Sequence, residues 1–188
     1  MNPLRTLADL LYPRACAACG KPLHGPPAAL CPDCQLRVPA VSLPYCSKCG
    51  DPVAGDIPGE YTCAWCRKEK PAFRWARSAV RYAGPVRPCI RNLKYHQGFW
   101  VLPEIRRWLE ALWATCPEDA READAIVPVP LHLWRRWGRT YNQAAAVAGV
   151  LGGITGIKVR HGWLWRLRPT ATQTHLTAAQ RARRLRRG

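Results

Sequence analysis

Carboxylates are missing from the last third of this 188-residue chain. The last acidic residue is Asp124, and residues 125–188 contain 12 Arg or Lys but no Asp or Glu. This absence excludes from that third any metal site or acid–base catalysis that depends on its own carboxylates. The formal net charge is +17, of which these residues carry +12. Such an excess points to anionic partners: phosphates, nucleic acid or anionic lipid.

Long apolar runs are also lacking. No segment reaches the ~18 apolar residues that a membrane-spanning helix needs, so we expect no membrane span. Residues 1–13 do not resemble a signal peptide, because Asp9 interrupts the leucines and no small-residue cleavage site follows. We interpret them as a short amphipathic helix that ends before Pro13. We therefore expect a cytoplasmic protein, in which ten cysteines favour metal ligation over disulfides.

Eight of the ten cysteines form four Cys-x-x-Cys pairs between residues 14 and 70. Each such turn points two thiolates at one ion, and two turns complete a tetrahedron around zinc. Sequential pairing predicts a double zinc ribbon with two structural zinc ions and no open coordination position. The expected ligands are Cys16, Cys19, Cys31 and Cys34 for the first ion, and Cys46, Cys49, Cys63 and Cys66 for the second.

Other interpretations of the cysteine pairs remain open from the sequence. Interleaved pairing would join the first pair to the third. An iron–sulfur cluster is a chemical alternative to zinc. A thioredoxin-like redox site is disfavoured, because it needs one pair in a βαβ context rather than four pairs in a Pro/Gly-rich stretch. Gly20 and Gly50 each follow a cysteine, where a tight turn with positive φ is expected.

Residues 71–188 have a different composition, with more Trp and Arg and longer periodic segments. The patterns predict strands and helices in alternation, and therefore an α/β domain with a parallel sheet. Predicted strands cover 75–82, 124–130, 157–160 and 163–167, and predicted helices cover 86–93, 103–115 and 141–150.

The segment from Pro130 to Gln143 follows the predicted buried strand at its carboxyl end, where open α/β sheets bind ligands. It is basic through Arg135, Arg136 and Arg139. Phosphate binding is therefore expected here, and the alternative is a solvated surface loop of Arg and Trp.

Several motifs, in this order along the chain, resemble the ComF competence family. After the four cysteine pairs they are Arg-Tyr-Ala-Gly-Pro-Val-Arg (81–87), Leu-Lys-Tyr-His-Gln-Gly (93–98), Ile-Val-Pro-Val-Pro-Leu-His (126–132), Gly-Arg-Thr-Tyr-Asn-Gln-Ala (138–144) and Thr-Gln-Thr-His-Leu-Thr (172–177). The resemblance implies a double zinc ribbon followed by a type I phosphoribosyltransferase-like domain. It also implies a role in the uptake of single-stranded DNA during natural transformation, together with other DNA-uptake proteins.

The resemblance also assigns phosphate-binding residues. The family's Lys-Tyr-x-Gly segment falls on Lys94, Tyr95 and Gly98 with one extra residue, and its Asn-Gln pair falls on Asn142 and Gln143. The family's Asp-Asp-x-x-Thr-Thr-Gly loop, which grips phosphoribosyl pyrophosphate, has no counterpart after Asp124. We therefore expect residues 71–188 to form an incomplete transferase-like domain with no catalytic residues.

Two functions follow from these observations. The first is a non-catalytic protein that binds single-stranded DNA or another phosphate-bearing ligand, because Arg neutralises phosphates and Trp stacks on bases. Arg and Trp are interleaved in 134–137 and 163–168. The second is a phosphoribosyltransferase whose missing loop is encoded downstream or supplied by a partner. Magnesium would be a cofactor only in the second case.

Overall fold

The computed structural model describes residues 14–25, 28–131, 141–167 and 180. The predicted helix over residues 1–13 lies outside these ranges. The five helices in the described part are α1 (Pro32–Leu36), α2 (Ala64–Glu69), α3 (Val86–Tyr95), α4 (Leu102–Ala114) and α5 (Gln143–Thr155). Two 3-10 turns cover Phe99–Val101 and Glu118–Glu122.

The cysteine-rich part consists of two copies of one small ribbon. In each copy an antiparallel bridge closes the first turn, Ala15 with Pro22 and Tyr45 with Pro52. The backbone hydrogen bond from Ala17 to Ala29 (2.8 Å) corresponds to the one from Ser47 to Tyr61 (2.7 Å). Each copy then ends in a short helix, α1 or α2, that begins directly after its third cysteine.

The two ribbons differ in what covers them. Leu30 and three cysteines of the first ribbon belong to the main hydrophobic core, together with Cys89 and Leu93 of α3 and Ile105 of α4. The second ribbon instead contacts the extended segment that follows it, where the Ala76 amide donates to the Lys48 carbonyl oxygen (2.7 Å). The first ribbon is therefore part of the core, and the second lies outside it.

Helices α3 and α4 match the sequence prediction to within two residues. Helix α4 has Pro103 in its first turn, which suits the fixed φ of proline. Its inner face buries Glu104 and Ile105 and packs Trp108 and Leu109 against the core. The prediction of core tryptophans on this helix is confirmed for Trp108.

Helix α5 is longer than predicted. The sequence suggested an end at Gly152 and Gly153, but the helix continues to Thr155 and ends at Gly156, whose φ is +76°. The glycine inside the helix permits close packing, because a Cβ on Gly152 would lie 2.8 Å from a methyl carbon of Val159. Tertiary contact thus outweighs the low helix propensity of glycine.

The predicted strands are represented only by isolated bridges in the described part of the chain. Ile126 pairs in parallel with Val159, and Ala40 pairs antiparallel with Val80. The parallel sheet therefore remains a prediction. The predicted strand over 163–167 is wrong, because these residues form a bend followed by irregular backbone, and Trp163 and Trp165 are exposed.

Candidate metal centres and phosphate site

The first four cysteines converge on one point. The sulfur atoms of Cys16, Cys19, Cys31 and Cys34 all lie within 4.8 Å of one another. Cys19 Sγ and Cys31 Sγ are 3.7 Å apart. A tetrahedron with Zn–S bonds of about 2.3 Å has edges of about 3.8 Å. The sulfur geometry therefore fits a zinc ion with four thiolate ligands.

The second group has the same geometry. The sulfur atoms of Cys46, Cys49, Cys63 and Cys66 also lie within 4.8 Å of one another, and Cys49 Sγ is 3.8 Å from Cys63 Sγ. Sequential pairing is thus confirmed, and interleaved pairing is wrong. The four ligands of each site leave no open position, so both sites fit structural zinc ions.

Backbone amides point at the sulfur atoms that open each site. The Cys31 amide donates to Cys16 Sγ (3.3 Å), and the Cys63 amide donates to Cys46 Sγ (3.4 Å). Burial raises the pKa of Cys16 and Cys46, but these and neighbouring amides outweigh it and lower both pKa values to about 6. Each site therefore contains a thiol whose ionised form the backbone amides stabilise.

The last cysteine of each site behaves in the opposite way. Burial, followed by hydrogen bonds with the neighbouring thiols, raises the pKa of Cys34 and of Cys66 to about 12. At the first site, Arg37 Nη2 donates to Cys34 Sγ (3.3 Å), which partly offsets this increase. A bound zinc ion would have to displace the protons of these two thiols.

Two glycines shape the cysteine turns as predicted. Gly20 and Gly50 have φ values of +75° and +72°, which side chains rarely adopt. Only Gly50 is also closely packed, since a Cβ there would lie 2.6 Å from the Ala76 carbonyl oxygen. The Cys46–Cys49 turn of the second ribbon therefore depends on glycine for both its backbone conformation and its contact with the next segment.

Glu104 is a buried anchor that the sequence did not reveal. Its side chain is only 2% exposed, and Oε1 accepts hydrogen bonds from the Ala29 and Leu30 amides at 3.3 and 3.4 Å. The same oxygen accepts from Gln35 Nε2 (3.2 Å) and Arg107 Nη1 (3.1 Å). A glutamate in the first turn of a helix is normally expected to be exposed and to interact with the helix dipole. Its contacts with Ala29 and Leu30, 75 and 74 positions away, could not be anticipated.

The described phosphate-site candidates lie near one another. Gln143 Nε2 donates to the Lys94 carbonyl oxygen (3.2 Å), and Asn142 Nδ2 donates to the Val129 carbonyl oxygen (3.0 Å). Asn142 also caps α5 by accepting from the Ala144 amide (3.0 Å). These bonds bring the end of α3, the segment after Ile126 and the start of α5 together. Arg135, Arg136 and Arg139 lie outside the described residues, and phosphate binding remains a prediction.

Residues 160–167 form an exposed aromatic and basic strip. Trp163 and Trp165 are 63% and 75% exposed. The guanidinium carbon of Arg160 lies 5.8 Å from the centre of the Trp163 ring. The strip therefore presents a cation beside an accessible aromatic face.

The described helices are too short or too polar to cross a bilayer.

Residues 7–68 match the family model of the double zinc ribbon domain. No solved structure matches the chain significantly.

Curated relatives extend the similarity to almost the whole chain. Competence protein F of Haemophilus influenzae is 30% identical over 177 residues, which are 90% of this chain and 73% of the relative. The DNA utilization proteins YhgH of Salmonella typhimurium and Escherichia coli K12 are 31% and 29% identical, and each match covers 94% of this chain and 77% of the relative. The chain therefore belongs to the family of competence protein F, the ComF family.

Proposed function

We propose that this chain takes part in DNA uptake or utilisation by binding single-stranded DNA without catalysing a reaction itself. The observation that carries the proposal is the exposed strip 160–167, where Arg160 lies over Trp163 and Trp165 is open to solvent. Two of the similar proteins are named competence protein F and DNA utilization protein YhgH, which supports the same role here.

The charge distribution supports a polyanionic partner. Arg160 belongs to residues 125–188, which contain 12 Arg or Lys and no Asp or Glu. Such a net positive charge attracts phosphates and releases their counterions on binding. Affinity should therefore fall steeply as salt increases.

The aromatic side chains favour single strands over duplex DNA. A base must be unpaired and splayed out before its face can stack on a side chain. Trp163 and Trp165 expose most of their surface, and Arg160 supplies a cation beside the first ring. The combination matches the stacking platforms with basic neighbours that bind single strands with little sequence preference.

The two zinc ribbons have a structural role in this proposal. Cys16, Cys31 and Cys34 belong to the hydrophobic core, so zinc at the first site stabilises the fold that presents the strip. The closed ligand sets provide no position for a substrate.

Fluorescence anisotropy with a labelled thymine oligonucleotide tests this function in the zinc-loaded full chain. We expect saturable binding at low salt, a negative slope of log affinity against log salt, and weaker binding of a duplex of equal length. Arg160→Gln should reduce the magnitude of the slope by about 0.7, the value for one phosphate contact on a single strand. Arg121→Gln removes the same charge from an exposed position in a 3-10 turn and should leave the slope unchanged. No binding of the single strand at low salt would refute the proposal.

Phosphoribosyl transfer is the second candidate function. It is favoured by the hydrogen bonds that bring Lys94, Asn142 and Gln143 together beside the segment after Ile126. A titration with phosphoribosyl pyrophosphate and magnesium distinguishes the two candidates. Saturable binding of phosphoribosyl pyrophosphate that Lys94→Gln abolishes would favour the enzyme. No binding of phosphoribosyl pyrophosphate would leave DNA binding as the remaining candidate.

A further inference from the structure

The second zinc ribbon contains an open basic cleft beside its metal site. The cleft has a volume of about 360 Å³ and is lined by Ser47, Lys48, Thr62, Cys66, Lys70, Pro71 and Arg74. Three of these residues are cations and none is acidic. The Ser47 and Thr62 hydroxyl oxygens lie 3.4 Å apart. The cleft thus combines positive charge with hydroxyl groups, a chemistry that suits a phosphate.

The first ribbon provides an internal comparison, because the two copies share their backbone hydrogen bonds. With the cysteines superimposed in order, Ser47, Lys48, Thr62 and Lys70 correspond to Ala17, Ala18, Leu30 and Val38. Leu30 is buried in the main core, and Ala17 and Val38 pack against it. The positions that join the first ribbon to the core are therefore occupied in the second by Ser47, Thr62 and Lys70. Ala18, the counterpart of Lys48, is exposed in the first ribbon.

Neutralisation of the zinc thiolates does not account for these cations. At the first site Arg37 donates directly to a cysteine sulfur. At the second site the described hydrogen bonds to sulfur come from backbone amides or from another cysteine thiol, and none comes from Lys48, Lys70 or Arg74. Arg74 pairs with Asp119 (2.8 Å), which leaves the two lysines as the cleft's main positive charges.

An aromatic ring lies at the same place. Phe73 is 42% exposed, and Lys48 Nζ is 5.7 Å from the centre of its ring. A cation beside an accessible ring suits a nucleotide, whose phosphate contacts the lysine while its base stacks on the ring. A phosphate without a base would use the cations alone.

We infer that this cleft is a second binding site for single-stranded DNA, in which Lys48 and Lys70 contact phosphates and Phe73 stacks on a base. The inference rests on the proposed function, because it assigns part of that binding to the second ribbon. The first ribbon packs its equivalent positions against the core, whereas in the second these positions are available to single-stranded DNA.

The experiment compares two variants that lose the same charge. Lys48→Gln/Lys70→Gln removes both cleft lysines, whereas Lys21→Gln/Lys68→Gln removes two exposed lysines that do not line the cleft. Anisotropy titrations across a salt series should show a slope reduced in magnitude by about 1.4 for the first pair, twice the ~0.7 per phosphate of single strands. The second pair should keep the wild-type slope. Phe73→Leu should weaken binding about fivefold, the lower end for one lost stacking contact.

Lysine footprinting of the wild-type chain provides a test without substitutions. Saturating oligonucleotide should slow acetylation of Lys48 and Lys70 but not of Lys21 and Lys68, as measured by mass spectrometry. Two outcomes would overturn the assignment of the cleft and leave the proposed function intact, provided that the wild-type chain binds. One is an equal salt slope for the two double variants, and the other is an equal effect of the oligonucleotide on the acetylation of all four lysines. Failure of the wild-type chain to bind would overturn both.

Discussion

Loss of the Glu104 carboxylate should destabilise the whole fold. Glu104→Ala leaves the Ala29 and Leu30 amides buried without acceptors, since these residues are 0% and 1% exposed. Each unsatisfied buried donor costs about 1–3 kcal/mol, so the two amides together cost about 2–6 kcal/mol. Gln35 and Arg107 are partly exposed and can turn to water, so they add little. We therefore expect a loss of about 3–5 kcal/mol, the middle of this range.

Thermal unfolding followed by circular dichroism measures this loss. For a chain of this size, each kcal/mol of lost stability lowers Tm by about 2–4 °C, so a loss of about 3–5 kcal/mol should lower Tm by about 6–20 °C. Glu104→Gln keeps an oxygen at the position of Oε1, which accepts all four hydrogen bonds, so it should cost only about 1 kcal/mol. Glu110→Ala is the matched control on α4, because its ion pair with Arg106 is about half exposed and contributes about 0.5 kcal/mol.

The same substitution should loosen the first zinc site selectively. Ala29 and Leu30 immediately precede the ligand Cys31, so their release should expose this cysteine to alkylation sooner than Cys63 of the second site. Mass spectrometry of alkylated peptides in the presence of a chelator distinguishes the two. A Glu104→Ala variant that melts within about 2 °C of the Glu110→Ala control and loses zinc equally from both sites would refute this reasoning.

Further predictions concern helix packing and metal binding. Gly152→Ala should cost about 1–3 kcal/mol by placing a methyl group against Val159, whereas Gly149→Ala on the same helix meets no neighbour and should stabilise by about 0.4–1 kcal/mol. Urea titrations that rank the two alike would contradict the close packing. Zinc affinity should increase with pH, because Cys34 and Cys66, with pKa values of about 12, are protonated in the metal-free chain and must release protons on binding. A competitive zinc titration between pH 6 and 8 checks the sign, and equal affinities would contradict it.

The helices show how far local pattern predicts this fold. Helices α3 and α4 were predicted closely because their apolar residues recur at helical spacing. The end of α5 was misplaced because Gly152 serves a contact with Val159 that no local pattern reports. The segment 163–167 was predicted as a strand, but it has no pairing partner in the described part of the chain. Strand formation depends on a neighbour, and the sequence alone does not supply one.

The candidate sites divide in the same way. The cysteine spacing predicted the eight cysteines that form the two tetrathiolate clusters, because a Cys-x-x-Cys turn is local and its chemistry favours zinc. The choice between sequential and interleaved pairing needed the sulfur positions. The basic residues were visible as a charge excess, but the cleft containing Lys48 and Lys70 forms only when the second ribbon folds.

The four Cys-x-x-Cys pairs, the basic final third and the family motifs can all be identified from the sequence without a structure. These properties follow from residue type and short spacing. Folding reveals that the first ribbon packs into the core through Leu30 and accepts an anchor from Glu104 of α4, whereas the second ribbon has an open cleft lined by Lys48 and Lys70. The reason is physical: ligand chemistry acts over a few residues, whereas burial depends on surfaces that the chain brings together from distant positions.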